Sequence, residues 1–466
     1  MSSSGTDANP KPSKRLWLGY LALVILPLAA GLVWLSGHVG PVSLGLDIGT
    51  AGLSAWTEHL QSPFARFLCQ MLVVLAAAKL LGALMRRLRQ PAVIGEMIAG
   101  LMLGPSLFGW LVPESHAWLF RPDSLQPLSL IAQLGVLVFM FAAGAEFEPE
   151  ALRGHRRRAL LIGHAGIAIP FLMGLLLAAA LYADYAPAGT NRLNFSLFIG
   201  IAMSITAFPV LLRILEDRGY TQLPIGRIAT SCAALADATA WAVLGVIIAM
   251  ATAHDTGSAL VRLLPAFLFA WFCLVWLRRK LAAVVIRDDH AARWLLAMVL
   301  SILLGSLITE ALGLHALFGA FLAGLAFSGN QALRALVVER IESFATVLLL
   351  PLYFASTGLR TQLELLGPRE WSLCLAITAI ATLGKMGGTV LSARFSGLER
   401  ADSWRLGALM NTRGLMELIV LGLGLEFGLI GHDLYAIFVI AAIATTVMTG
   451  PLLSLIDRVS RSKATA

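Results

Sequence analysis

The sequence predicts an all-α membrane protein that crosses the bilayer many times, and three observations carry that prediction. Of its 466 residues, 58% are hydrophobic and only 13% are charged, with a mean hydropathy of +0.80. Soluble chains are nearer half apolar and a quarter charged, so a water-facing surface and a soluble enzyme do not fit. The apolar runs approach the length that spans roughly 30 Å of hydrocarbon as helix, and the alternation of a β-barrel is absent. The 35 Lys and Arg residues, finally, are shared very unevenly between alternate connections.

Taken in order, the runs place about 14 transmembrane helices at 16–36, 64–85, 91–111, 128–146, 159–183, 193–215, 226–251, 258–278, 292–310, 312–328, 341–359, 370–393, 404–426 and 433–456. The first follows Lys11, Lys14 and Arg15 like a signal peptide. Its apolar run continues past Leu28, Ala29 and Ala30 to Trp34 without a clean cleavage site, so an uncleaved extra helix is expected. Residues 1–15, rich in Ser, Lys and Pro, are expected to be a disordered cytoplasmic start. Residues 16–63 form the extra helix and an external loop, 64–456 the membrane domain, and 457–466 a cytoplasmic tail. No nucleotide-binding regulatory domain is expected.

With the N-terminus inside, the cytoplasmic connections and termini collect 26 of the 35 Lys and Arg residues. The opposite side has six: Arg66, Arg121, Arg192, Arg262, Arg360 and Arg369. Lys79, Lys385 and Arg413 lie inside apolar segments. That asymmetry predicts cytoplasmic termini in a cell inner membrane. It also assigns the net charge of +8 to topology rather than to nucleic-acid binding. Cys69, Cys232, Cys273 and Cys374 are scattered without disulfide or metal spacing and are expected to be buried thiols.

The informative residues are those that violate membrane rules. An ionisable side chain at mid-membrane costs roughly 2.5–3.5 kcal/mol on insertion scales and so needs a partner or a task. Asp237 sits near the middle of its segment among small residues, where a neighbouring helix or an aqueous funnel can approach. A carboxylate there can take either a proton or a cation; the plainer alternative is a helix-to-helix hydrogen bond. One segment earlier, Pro209 removes a backbone donor within its run, which predicts a kink or an unwound stretch. Freed carbonyls with Ser204 and Thr206 would offer oxygen ligands to an alkali cation.

Asn411, Thr412, Arg413, Gly414 and Glu417 form a second polar interruption, about 210 residues on. Arg413 and Glu417 are four apart, on one helical face, and are expected to pair structurally. Two interrupted helices in the two halves of a chain point to an inverted-repeat transporter with a midplane site. Lys385, among Gly384, Gly387 and Gly388, is placed to neutralise a broken helix end or a carboxylate, with snorkelling the alternative. Glu96 sits nearer the cytoplasmic end, to line a funnel or cap a helix. Lys79 and Glu310 are read as structural.

At these residues the sequence resembles the cation:proton antiporter superfamily, specifically the second monovalent cation:proton antiporter family. The resemblance covers about residues 64–456. It rests on QPAVIGEMIAGLMLGP at 90–105, LGVLVFMFAAGAE at 134–146, the region from Ser204 to Asp237, and NTRGLME at 411–417. It implies a sodium/proton antiporter-like fold of thirteen core helices, the segment at 16–36 being additional, with interleaved dimerisation and core subdomains. It further implies that 193–215 and 404–426 are crossing discontinuous helices, that Asp237 is the ion-binding aspartate, and that Lys385 is the supporting basic residue. Homodimers and an elevator-like movement of the core are implied as well. The chain departs from the pattern at Ala236, where the family commonly has Asp, Asn or Gln.

The function expected is secondary active exchange of Na+ or K+ for H+ across the cytoplasmic membrane by alternating access, electroneutral because Ala236 leaves one acid. No cofactor is expected beyond the transported ions. A passive cation channel is the first alternative, although no filter loop of repeated carbonyls is seen. An organic-solute transporter on the same scaffold is the second. Neither His-Glu-x-x-His nor Gly-x-Ser-x-Gly occurs, which argues against an intramembrane enzyme.

Overall fold

The computed structural model describes residues 62–88, 90–146, 156–221, 223–252, 256–285 and 291–464. The extra helix expected at 16–36 and the polar start at 1–15 lie outside them. Among the described residues every regular element is helical. In chain order these are α1 Pro63–Arg87, α2 Ala92–Leu103, α3 Pro113–Leu119, α4 Leu125–Glu146, α5 Arg156–Tyr185 and α6 Arg192–Ser204. They continue with α7 Phe208–Asp217, α8 Pro224–Thr252, α9 Thr256–Trp271, α10 Arg278–Ala282, α11 Ala291–Ala311 and α12 Ala316–Phe327. The last are α13 Gln331–Leu336, α14 Leu350–Arg360, α15 Pro368–Phe395, α16 Arg400–Met410, α17 Leu415–Glu426 and α18 His432–Ala464.

Nine spans among the described residues are long and apolar enough to cross a membrane. They overlap nine of the fourteen runs read from the sequence, and the other runs show why apolar length and helix length differ. The run at 312–328 is only a twelve-residue helix, capped by His315 at its start. That at 341–359 carries wider π-type turns at Val337–Glu342 and Ala345–Leu349 before α14. The run at 258–278 likewise passes from α9 into a wider turn at Phe272–Leu277. The run at 404–426 is two helices, α16 and α17, parted by a break. At the far end the last helix does not stop at 456 before a tail but continues to Ala464. The side chain of Asp457 in that extension accepts from Arg405 at 2.9 Å and from Tyr220, which ties α18 to α16 and to the α7–α8 turn. Burial and the Asp457 hydrogen bond push the Tyr220 phenol up to about 12.

The helices pack in two groups. In one, α2 packs on α1 and α14, and α12 on α4 and α11; in the other, α5 packs on α6, α8 and α15, with α16, α17 and α18 alongside. Glycines let backbones touch where dispersion, rather than water exclusion, holds helices together in lipid. A Cβ on Gly358 of α14 would lie 2.1 Å from the carbonyl carbon of Gly100 in α2, and one on Gly324 of α12 would lie 2.0 Å from the Phe141 oxygen in α4. Outward faces carry large apolar side chains such as Leu176, Leu268 and Leu375.

Candidate functional site

The second group of helices contains two breaks that face each other. Helix α6 ends at Ser204, Ile205 is extended (φ −66°, ψ 142°), and α7 restarts at Phe208 with Pro209 in its first turn. Pro209 cannot donate to the carbonyl four residues back and its ring crowds that carbonyl, so one continuous helix is unfavourable there. On the other strand of the site, α16 ends at Met410 and α17 begins after Gly414, whose backbone (φ 129°, ψ −126°) suits glycine alone. The Ala207 N–H donates to the Thr412 carbonyl at 3.0 Å. Thr206 Oγ1 donates to the Met410 carbonyl at 3.4 Å, so the breaks are joined by two hydrogen bonds.

A helix end leaves carbonyls without intrahelical partners, and its dipole favours cations nearby. At the end of α6 two cationic side chains supply both needs. Arg413 donates to the carbonyls of Ala202, at 3.0 Å, and of Met203. Lys385, fully buried on α15, donates to the carbonyl of Ser204. Arg413 also forms a buried ion pair with Glu417 at 2.8 Å, which places a negative charge in the first turn of α17. Among the described residues, Lys385 makes no carboxylate ion pair within 4.0 Å.

Asp237, midway along α8, is 3% exposed. Trp241, one turn on, and Lys385 lie within electrostatic reach of its carboxylate, yet Oδ1 has no hydrogen-bond partner. Ala236, beside it, is buried in an apolar cluster with Ala207, Ala233 and Met410. Leaving a buried polar group unpartnered costs about 1–3 kcal/mol by mutational data, so an orphaned carboxylate oxygen is a place where a proton or a cation is favoured. Asn411 and Thr389 are also fully buried with unpartnered side-chain polar atoms.

The structure brings Ser204, Thr206, Lys385, Asn411, Thr412, Arg413 and Glu417 to this meeting point, but not all with free oxygens. The Ser204 hydroxyl donates to Gly200, at 2.7 Å, and to Ile167. Thr412 Oγ1 donates to Thr449 Oγ1 at 3.3 Å. Three freed carbonyls of α6, expected from the sequence as cation ligands, point instead at Lys385 and Arg413. Glu96 stands apart and faces Lys79 at 3.9 Å, and it does not cap its own helix: α2 starts at Ala92 with Pro91 at the cap position and no side-chain cap. Glu310 accepts from the Ala316 N–H at 2.9 Å and so holds the start of α12.

Two cavities open at opposite ends of the bundle. One, of about 230 Å³, is lined by Gln133, His315, Tyr353, Arg360 and Glu426 among others. The other, of about 250 Å³, is lined by Glu146, Phe208, Leu212, Thr230, Ala234, Arg334 and Val338. Thr230, Ala234 and Asp237 recur at helical spacing on one face of α8, so this second cavity reaches within about one turn of Asp237. In the sequence Glu146 stands out only as the end of the 134–146 motif, and His315 and Glu426, which approach to 3.9 Å across the first cavity, carry no mark of their own. Glu146 ends an apolar run, and that position was the signal available for it.

A model of the transmembrane sodium/hydrogen exchanger family matches residues 72–456. The chain is 39% identical over 393 residues to the Na(+)/H(+) antiporter NhaS4 of Synechocystis, covering 83% of this chain and 95% of that protein. It is 36% identical to cation/H(+) antiporter 17 of Arabidopsis thaliana, where the match takes in 88% of this chain but about half of the longer plant protein (51%). Among solved structures, the sodium proton antiporter MjNhaP1 from Methanocaldococcus jannaschii at pH 8 shares the fold, with a TM-score of 0.56 at 15% identity over 85% of this chain and 96% of that one.

Proposed function

The chain belongs to the sodium/hydrogen exchanger family of multi-pass membrane proteins, and from that premise we propose that it is a secondary active antiporter exchanging Na+ or K+ for H+ by alternating access. The observation that carries this reading is Asp237: a buried carboxylate with an unpartnered oxygen, beside two helix breaks of which the first has its end carbonyls held by Lys385 and Arg413.

The chemistry follows from charge. Asp237 is neutral overall when it holds a proton and neutral when it holds one monovalent cation. The empty carboxylate keeps its charge, and carrying a bare charge through a low-dielectric barrier is costly. Loaded forms therefore cross and the empty form does not, which couples cation movement to proton movement. Lys385 and Arg413 act at the end of α6 and hold the breaks in place rather than entering the exchange. The helices α5 to α8 and α15 to α18 bear the site and form the moving core. The group with α1, α2, α4, α11, α12 and α14 is the scaffold on which two copies meet as a homodimer. With both termini in the cytoplasm, the cavity beside Glu146 opens inward and reaches the Asp237 face, whereas no residue of α8 lines the opposite cavity. That asymmetry supports access from one side at a time.

The test is Asp237→Asn in proteoliposomes that hold a pH gradient. The amide keeps the shape but cannot ionise, so cation-dependent proton flux should vanish while the protein still purifies as a folded species. Normal flux would remove Asp237 from the exchange.

A further inference from the structure

We propose that Asn411 is a ligand of the transported cation, supplying a neutral oxygen to the same ion that Asp237 binds; the inference rests on the reading of Asp237 given above. Asn411 is 0% exposed, and neither its Oδ1 nor its Nδ2 has a hydrogen-bond partner among the described residues. Two structural reasons commonly place asparagine at a helix end: it tolerates the left-handed conformation, and its side chain bonds to its own turn. Neither applies. Asn411 has φ −76° and ψ −5°, which most residues adopt readily, and its amide bonds to nothing nearby.

Its position is that of a ligand. Asn411 precedes Thr412, whose carbonyl holds the Ala207 N–H at the junction of the breaks. Helix α16 packs on α8, and the residues just before the two orphaned side chains, Met410 and Ala236, share one buried cluster with Ala207. Several backbone oxygens around the junction are already engaged. Those of Ala202, Met203 and Ser204 are taken by the donor groups of Arg413 and Lys385. That of Met410 accepts from Thr206. Of the buried side-chain oxygens left unpartnered, Glu417 Oε2 belongs to a carboxylate already paired with Arg413, and Thr389 Oγ1 lies a turn beyond Lys385 on α15. Asp237 Oδ1 and Asn411 Oδ1, by contrast, come from two separate elements that meet beside the breaks. A carboxylate and an amide carbonyl are hard oxygen donors of the kind that suit alkali cations, and the number and strength of neutral donors governs choice among them.

The experiment measures exchange in proteoliposomes across a series of Li+, Na+ and K+ concentrations, with each ion in turn as the probe. Asn411→Ala should raise the half-saturating concentration of the preferred ion by roughly tenfold, by unequal factors for the three ions, with a smaller change in maximal rate. Asn411→Gln keeps a neutral amide oxygen and should raise half-saturation less than Asn411→Ala does. Where Asn411→Ala fails to fold, Asn411→Leu preserves side-chain volume and tests the same loss. In parallel, the cation-dependent rise in Tm of purified protein should shift to higher concentration by the same factor. An unchanged half-saturation in Asn411→Ala, or a lowered maximal rate with unchanged affinity, would overturn the assignment and leave Asn411 a packing residue. Asp237→Asn runs in the same vesicles: if it still exchanges, the underlying reading fails instead, whatever Asn411 does.

Discussion

Arg413 shows how far one side chain can reach beyond its sequence neighbourhood. Spacing alone pairs it with Glu417, and that ion pair forms with both partners buried. Its bonds to Ala202 and Met203, more than 200 residues earlier, have no signature in the chain. Removing one partner of a buried pair strands the other and costs roughly 3–5 kcal/mol. Glu417→Gln is therefore expected to lower Tm and yield before it changes ion preference. A stable Glu417→Gln with altered selectivity, measured in the same vesicles, would move Glu417 from support into the ion site. Lys385 and Ser204 carry the same lesson: apolar context marked both as unusual, but only the fold shows the ammonium on the Ser204 carbonyl and the hydroxyl turned away to Gly200 and Ile167.

At the scale of elements, the two breaks have different origins. Pro209 forces the first through a missing donor, whereas the second depends on a glycine conformation at 414. Backbone held in a region that only glycine occupies freely costs other residues about 1–3 kcal/mol. Gly414→Ala should therefore destabilise the folded protein by that order in thermal unfolding, although a Cβ there meets nothing closer than Val210 at 3.6 Å. Gly387→Ala is the matched control. It lies inside α15 with open space around it and, by helix propensity, should leave Tm unchanged or raise stability by up to about 1 kcal/mol. Equal losses in the two variants would show that the backbone conformation at 414 does not govern the break. Proline and the glycine-flanked polar cluster made both interruptions visible in the sequence. The hydrogen bond that joins them was not visible, because Ala207 and Thr412 carry no mark of pairing.

For the whole molecule, the central question is charge per cycle. Ala236 is buried among apolar side chains and Glu417 is held by Arg413, so Asp237 is the acid left to titrate at the junction, where two adjacent acids would carry a second proton. One proton is then expected to exchange for one monovalent cation, with no net charge moved. The expectation is tested by clamping the potential across proteoliposomes at several values and measuring cation-driven proton flux. Flux independent of potential is the expected outcome; an equilibrium gradient that shifts with the clamp would implicate a second titrating group, with Lys385 the first to replace.

The sequence alone determined the class of this protein, because apolar run length and charge content respond directly to the bilayer. It also located the exceptional residues, since an ionisable group in an apolar run is conspicuous wherever the chain later folds. It could not tell which oxygens remain free, because that depends on partners brought from distant segments. Only the tertiary structure turned Lys385 and Arg413 onto the carbonyls of α6. It also left unpartnered oxygens on Asp237 and Asn411, neither of which is held in an ion pair. Helix count divided in the same way: apolar length is a local property, whereas a break at 411–414 or a wide turn before α14 is decided by the neighbours each segment must meet.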